Sequence, residues 1–363
     1  MSTSTRLDAL ADRTPPLLAL VVAVAAVSTS AVLVRWTSAP SAVTAFYRVL
    51  FTTLLLVPLA ATRYGAAFRR LAPRDGLIAA VTGVALAIHF AAWFESLRWT
   101  SIAASVTLVQ AQPAFVAVGA WLLLDERVDA RTALGVAVAL GGMALLSAGD
   151  LVSGAVVTGR RPLYGMALLS AGDLVSGAVV TGRRPLYGNA LAVLGAAAAA
   201  AYVLVGRSLR QRVPLLPYVT VVYAACTLAL LVFVVAGALG DAAGGGTAAG
   251  RIAASLFDHP PQDWVLFLAM AVGPGLLGHT VVNWALAHVE SSVVSVSLLG
   301  EPVGATLLGV VLLDERVGAV TLVGGAIILA GVALTAQARE TDAGADGEPA
   351  GPHGDEPPDA VER

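Results

Sequence analysis

The sequence predicts an all-α integral membrane protein with ten transmembrane helices, arranged as two five-helix repeats of inverted topology. Three observations predict it. Of the 363 residues 57% are hydrophobic and only 13% charged, with a mean hydropathy of +0.81; a soluble domain carries about 25% charged residues. Apolar stretches of about 20 residues, the length a helix needs to cross the hydrocarbon core, recur along most of the chain. A motif near the end of the first half also returns near the end of the second.

Taken in order, the apolar stretches lie at roughly 15–35, 42–61, 75–97, 101–124, 130–149, 189–207, 216–238, 263–288, 291–313 and 318–337. Most are rich in Ala, Gly and Val, which suits close helix–helix approach in lipid. The first is long enough to be a helix rather than a cleaved signal peptide. Orientation follows from arginine, because none of the 22 basic residues is lysine. Arg6 and Arg13, Arg63, Arg69, Arg70 and Arg74, Arg127 and Arg131, and Arg207, Arg210 and Arg212 fall on one side. The other side has single arginines at 35, 98, 251 and 316. Both termini are therefore expected in the cytoplasm. Arg160, Arg161, Arg183 and Arg184 run against this assignment, and half of that excess comes from a duplication described below.

The larger repeat is read from QPAFVAVGAWLLLDERV at 112–128 and EPVGATLLGVVLLDERV at 301–317. They align without a gap, and the register continues to Gly135/Gly324 and Gly142/Gly331. One residue of register change aligns His89 with His279 and Ser101 with Ser291. Five spans per half is odd, so the second copy enters from the opposite face, as in secondary transporters with a mid-membrane site between the halves. A second repeat is different in kind: residues 143–165 and 166–188 are the same 23-mer. It falls between the halves, where insertions are tolerated, and reads as a recent in-frame duplication or a sequence artefact. The expected organisation is a cytoplasmic segment 1–14, a first repeat 15–149, a connecting loop 150–188, a second repeat 189–338 and an acidic, disordered tail 339–363.

Each half thus ends in a Pro-containing helix, a Leu-rich run, an acidic turn and a Gly-rich last helix. The paired Gln112-Pro113 with Leu123-Leu124-Asp125-Glu126-Arg127-Val128, and Glu301-Pro302 with Leu312-Leu313-Asp314-Glu315-Arg316-Val317, resemble the EamA family of the drug/metabolite transporter superfamily. Arg48 is similar to a basic residue often found near the start of the second span in that family. The resemblance covers about residues 15–149 and 189–338, and the long connection between spans five and six departs from it. It implies a carrier of amino acids, other small metabolites or drugs, often outward, with no bound cofactor.

Glu301 is the sharpest candidate for a working residue. Its position puts it ~14 Å and ~18 Å from the ends of its span, at a depth where an acidic side chain costs about 2.5–3.5 kcal/mol. Such a group contacts a substrate amine or couples to protons, or else it closes the backbone gap left by Pro302. His89 and Trp93 share one helix face, as do His279 and Asn283; these groups either line a cavity or tie neighbouring helices. Gln110 and Gln112 fall on roughly opposite faces of a continuous helix, and Gln112 is preferred because it matches Glu301. Arg48, with Tyr47, either holds a substrate carboxylate or snorkels to the interface. Asp125-Glu126-Arg127 and its copy read as solvated turns and caps. Pro113 and Pro302 are helix-break points, flexible or merely tolerated.

The lone Cys226 excludes a disulfide framework or thiolate metal site, and no metal site is expected. There is no basic footprint for nucleic acid, and no catalytic motif for a membrane enzyme. The expected function is therefore a secondary transporter of the cell membrane, with a passive facilitator or channel as the alternative. Its expected partners are a small-molecule substrate and the lipid bilayer, with proton coupling and a homodimer left open.

Overall fold

The apolar stretches fold as helices because backbone N–H and C=O groups in lipid must be satisfied within their own segment. A computed structural model of the protein describes residues 16–69, 71–124, 129–158, 184–210, 212–240, 246–281 and 297–345. No strand occurs among them. The helices are α1 (Pro16–Ser28), α2 (Ser30–Trp36), α3 (Ser41–Arg69), α4 (Pro73–Trp99), α5 (Ile102–Val109), α6 (Gln112–Leu124) and α7 (Ala130–Thr158). After the connection come α8 (Pro185–Arg210), α9 (Leu215–Gly240), α10 (Ala248–Phe257) and α11 (Pro261–Met270). A π-helical segment (Ala271–Thr280) follows, then α12 (Gly300–Leu313) and α13 (Ala319–Ala345). Among the described residues, eight helical spans are long and apolar enough to cross a membrane, with α1–α2 and α5–α6 each taken as one span. The remaining two expected spans coincide with α11 plus the π segment and with the shorter α12; residues 282–296 between them lie outside the described residues.

Local chemistry sets the helix starts. Ser101 accepts from the Ala104 N–H (3.1 Å), Asp129 from the Thr132 N–H (2.7 Å) and Thr247 from the Gly250 N–H (3.1 Å), each satisfying a donor the first turn leaves orphaned. Pro73 and Pro261 open α4 and α11, where a missing N–H costs nothing. Two boundaries differ from expectation. Helix α7 continues to Thr158, into the segment read as a connecting loop, and α13 continues to Ala345, into the tail. Helical backbone satisfies its own hydrogen bonds and so outlasts the apolar run. Most of the duplicated segment, residues 159–183, lies outside the described residues.

The repeat register is visible in the packing. Helices α7 and α13 run antiparallel with glycine at both crossings. A Cβ on Gly135 would lie 2.8 Å from the Gly331 carbonyl oxygen, and one on Gly142 would lie 2.9 Å from that of Gly324. The sequence register equates these same four glycines crosswise, Gly135 with Gly324 and Gly142 with Gly331. Helix α4 packs along α8 and α3 along α9, so residues before the connection bind mainly residues after it. Large apolar side chains such as Leu123, Leu228 and Val311 remain exposed on the outside, where lipid would cover them.

Candidate functional site

Several helices that surround the centre of the molecule are interrupted there. Helices α1 and α2 are separated by Thr29, whose hydroxyl, like that of Ser28, donates to a carbonyl of the preceding turn (2.7 and 2.8 Å); such bonds compete with the helical ladder. The break between α5 and α6 falls at Gln110-Ala111, because Pro113 has no N–H for the Val109 carbonyl. Likewise Leu299 precedes α12, in whose first turn Pro302 sits. The two prolines begin new helices rather than bending old ones. Pro274 lies within the π segment, a geometry frequently found at functional sites.

These breaks converge on a cavity of about 270 Å³. Arg48, His89, Trp93, Gln110, Gln112 and Glu301 all line it, together with Tyr202, Tyr223 and apolar side chains. Gln110 Nε2 donates to Glu301 Oε2 at 2.8 Å. Arg48 is only 2% exposed, so it enters the interior rather than snorkelling to an interface. Its Nη1 donates to Ser30 Oγ at 3.3 Å, and its guanidinium carbon lies 4.6, 5.4 and 5.9 Å from the ring centres of Phe90, Phe94 and Trp93. Aromatic faces offset part of the cost of burying that cation. His89 Nδ1 is 2.9 Å from the Gly195 carbonyl oxygen, which leaves Nε2 as the freer nitrogen, and its ring is 5.7 Å from Trp93. The Trp93 indole N–H has no hydrogen-bond partner among the described residues.

The structure separates some residues that the sequence grouped. Tyr47 does not line the cavity; it packs on Trp264 (4.8 Å) and Phe267 (4.9 Å) and donates to the Leu256 carbonyl. Successive helical residues diverge by about 100°, the rotation of a 3.6-residue turn, which sends Arg48 inward and Tyr47 sideways. Gln110 and Gln112 both reach the cavity, against the expectation of opposite faces, because the helix breaks between them. Gln110, rather than Gln112, holds Glu301; the signal available in the sequence was Pro113. His279 lies on the π segment, while Asn283 lies outside the described residues.

The acidic turn also differs from expectation. Glu315 is 4% exposed and not a solvated cap of its own helix. It accepts from Arg35 Nη2 at 2.9 Å and from the Ile102 N–H at 3.0 Å, so it caps the neighbouring α5, where the first N–H groups need acceptors. Its copy in the first half, 125–127, lies outside the described residues.

An all-helical membrane protein with broken helices around a polar, aromatic-walled cavity belongs to the architecture of carriers rather than of anchors. The match to known proteins agrees: the chain belongs to the EamA-like transporter family, whose model matches residues 14–148 and 186–337. A solved structure described only as "Crystal structure of protein" is similar over 90% of this chain and 98% of its own length, with 19% identity and a TM-score of 0.50; that likeness concerns the fold alone. No curated protein matches the chain.

Proposed function

We propose that the protein is a secondary transporter of the cytoplasmic membrane that moves small polar or amphipathic metabolites, such as amino acids or drugs, by alternating access. The carrying observation is the cavity in which Arg48 and Glu301, one from each half of the chain, meet an aromatic wall. A buried cation, a half-buried carboxylate and an apolar surface together suit a small molecule with both charged and apolar parts. In this reading ten spans form two inverted repeats, 15–149 and 189–338, joined by residues 150–188. The antiparallel, glycine-matched contact of α7 with α13 supports that symmetry. Both termini face the cytoplasm, and export is the direction the family suggests. Trp93, His89 and Gln112 complete the binding surface, with His279 and Asn283 as repeat-related candidates. A proton on Glu301 is the coupling ligand, since a ligand shifts the inward–outward equilibrium only by binding one state better.

The test is uptake of a labelled amino-acid and metabolite panel into proteoliposomes, with and without an imposed pH gradient. Saturable, gradient-enhanced uptake is expected. Glu301→Gln should abolish the gradient-driven component while sparing counterflow. Equal loss of both would count against coupling, and uptake indifferent to the gradient would favour a passive facilitator.

A further inference from the structure

At one end of the cavity, side chains from the second half hold backbone and side chains of the first. Glu315 binds Arg35 and the Ile102 N–H, as above, and Arg35 Nη2 also donates to the Thr100 carbonyl (2.7 Å). Asp263, 1% exposed at the start of α11, accepts from the Ser38 N–H (3.1 Å), the Ser38 hydroxyl (2.7 Å) and the Ala39 N–H (3.0 Å). Arg98 braces the same loop, donating to Ser41 Oγ (2.7 Å) and to the Ala39 carbonyl. Arg35 and Arg98 each lie five residues beyond a cavity-lining residue, Ser30 and Trp93, about 7.5 Å along a helix. The layer therefore lies just beyond the cavity on this side. At the opposite end, Arg212 meets Asp75 at 3.3 Å with the arginine side chain 51% exposed. An exposed pair of that kind contributes about 0–1 kcal/mol.

We propose that Glu315 and Asp263 are positioning residues of a cross-half latch: their bonds to Arg35, Ile102, Ser38 and Ala39 hold this end shut and must break when the cavity opens toward it. Neither carboxylate lines the cavity, so each acts on transport through the position of the halves and not through substrate contact. The proposed topology puts this end outside the cell. The inference rests on the alternating-access reading, but its test needs no substrate.

The experiment places a reporter thiol in the cavity, Ala199→Cys in a Cys226→Ala background of the full chain. It measures the rate of labelling by a membrane-impermeant maleimide applied to right-side-out and to inside-out vesicles. Glu315→Ala and Asp263→Ala should each raise labelling from the latch side about tenfold or more, the shift implied by losing one charge-assisted hydrogen bond, and lower it from the other side. The opposite signs matter, because simple loosening raises both. Unchanged rates from both sides, or a rise from both, would overturn the latch. Should an alanine variant fail to fold, Ser38→Ala removes one hydroxyl and leaves the backbone bonds to Asp263. It should give a smaller shift of the same sign, and no shift would overturn the Asp263 arm. Flux in proteoliposomes with unresponsive labelling would sink the latch and leave transport standing. Reciprocal labelling without flux of any solute tested would do the reverse.

Discussion

The contact of α7 with α13 makes a quantitative prediction that needs no substrate. A Cβ added at Gly331 would lie 2.4 Å from the Ala139 nitrogen and 2.6 Å from the Gly135 oxygen. Both are backbone atoms on a packed helix, so no flexible side-chain end can move aside. To restore ordinary carbon contact the helices must separate by about 1 Å, enough to forfeit a quarter to a half of the dispersion well along the seam. Overpacking of this kind costs about 1–3 kcal/mol. Alanine also gains about 0.8–1 kcal/mol over glycine in a helix interior, so Gly331→Ala alone understates the clash. Gly141 supplies the correction, because a Cβ there meets nothing within 4 Å. The difference in unfolding free energy between Gly331→Ala and Gly141→Ala in mixed micelles, followed by tryptophan fluorescence as SDS is increased, should be about 1–3 kcal/mol. Gly142→Ala, with nearest contacts of 2.8 and 2.9 Å, should fall between them. Equal stability of the Gly331 and Gly141 variants would refute the packing argument and, with it, the glycine-matched contact used here to support the two-fold relation of the halves.

Two further outcomes follow from the site and the latch. Arg48→Met should lower transport efficiency by about 10²-fold or more and lower thermal stability, since it leaves the Glu301 carboxyl uncompensated, whereas Arg48→Met with Glu301→Met should recover stability without flux, since replacing both members of a buried charge pair is often no loss; a double variant no more stable than Arg48→Met would make Arg48 structural. At the latch, Glu315→Gln keeps an oxygen that can accept from the Ile102 N–H but loses the charge facing Arg35, the stronger kind of bond. Latch-side labelling of the cavity thiol, normalised to an exposed cysteine, should therefore rise, by less than in Glu315→Ala. Labelling as slow as in the wild type would argue that the ion pair has no part in the latch.

The sequence by itself determined what depends on local sums. Hydropathy over twenty residues identified the membrane class, and a shared register over dozens of residues identified the halves. Glu301 stood out because one carboxylate in an apolar run has no local explanation. The glycines of that register were visible as a pattern, though not as the partners they are. What needed tertiary structure was every contact between residues far apart in the chain. Gln110, not Gln112, reaches Glu301 because Pro113 interrupts a helix that periodicity treated as continuous. Tyr47 and Arg48 are neighbours in sequence, yet they are divided by the helical rotation and by an aromatic cluster drawn from α11. Glu315 has the composition of a solvated turn, and only the approach of α5 supplies the N–H that buries it. A polar residue's partner is set by which helix lies beside it, and hydropathy carries no information about that choice.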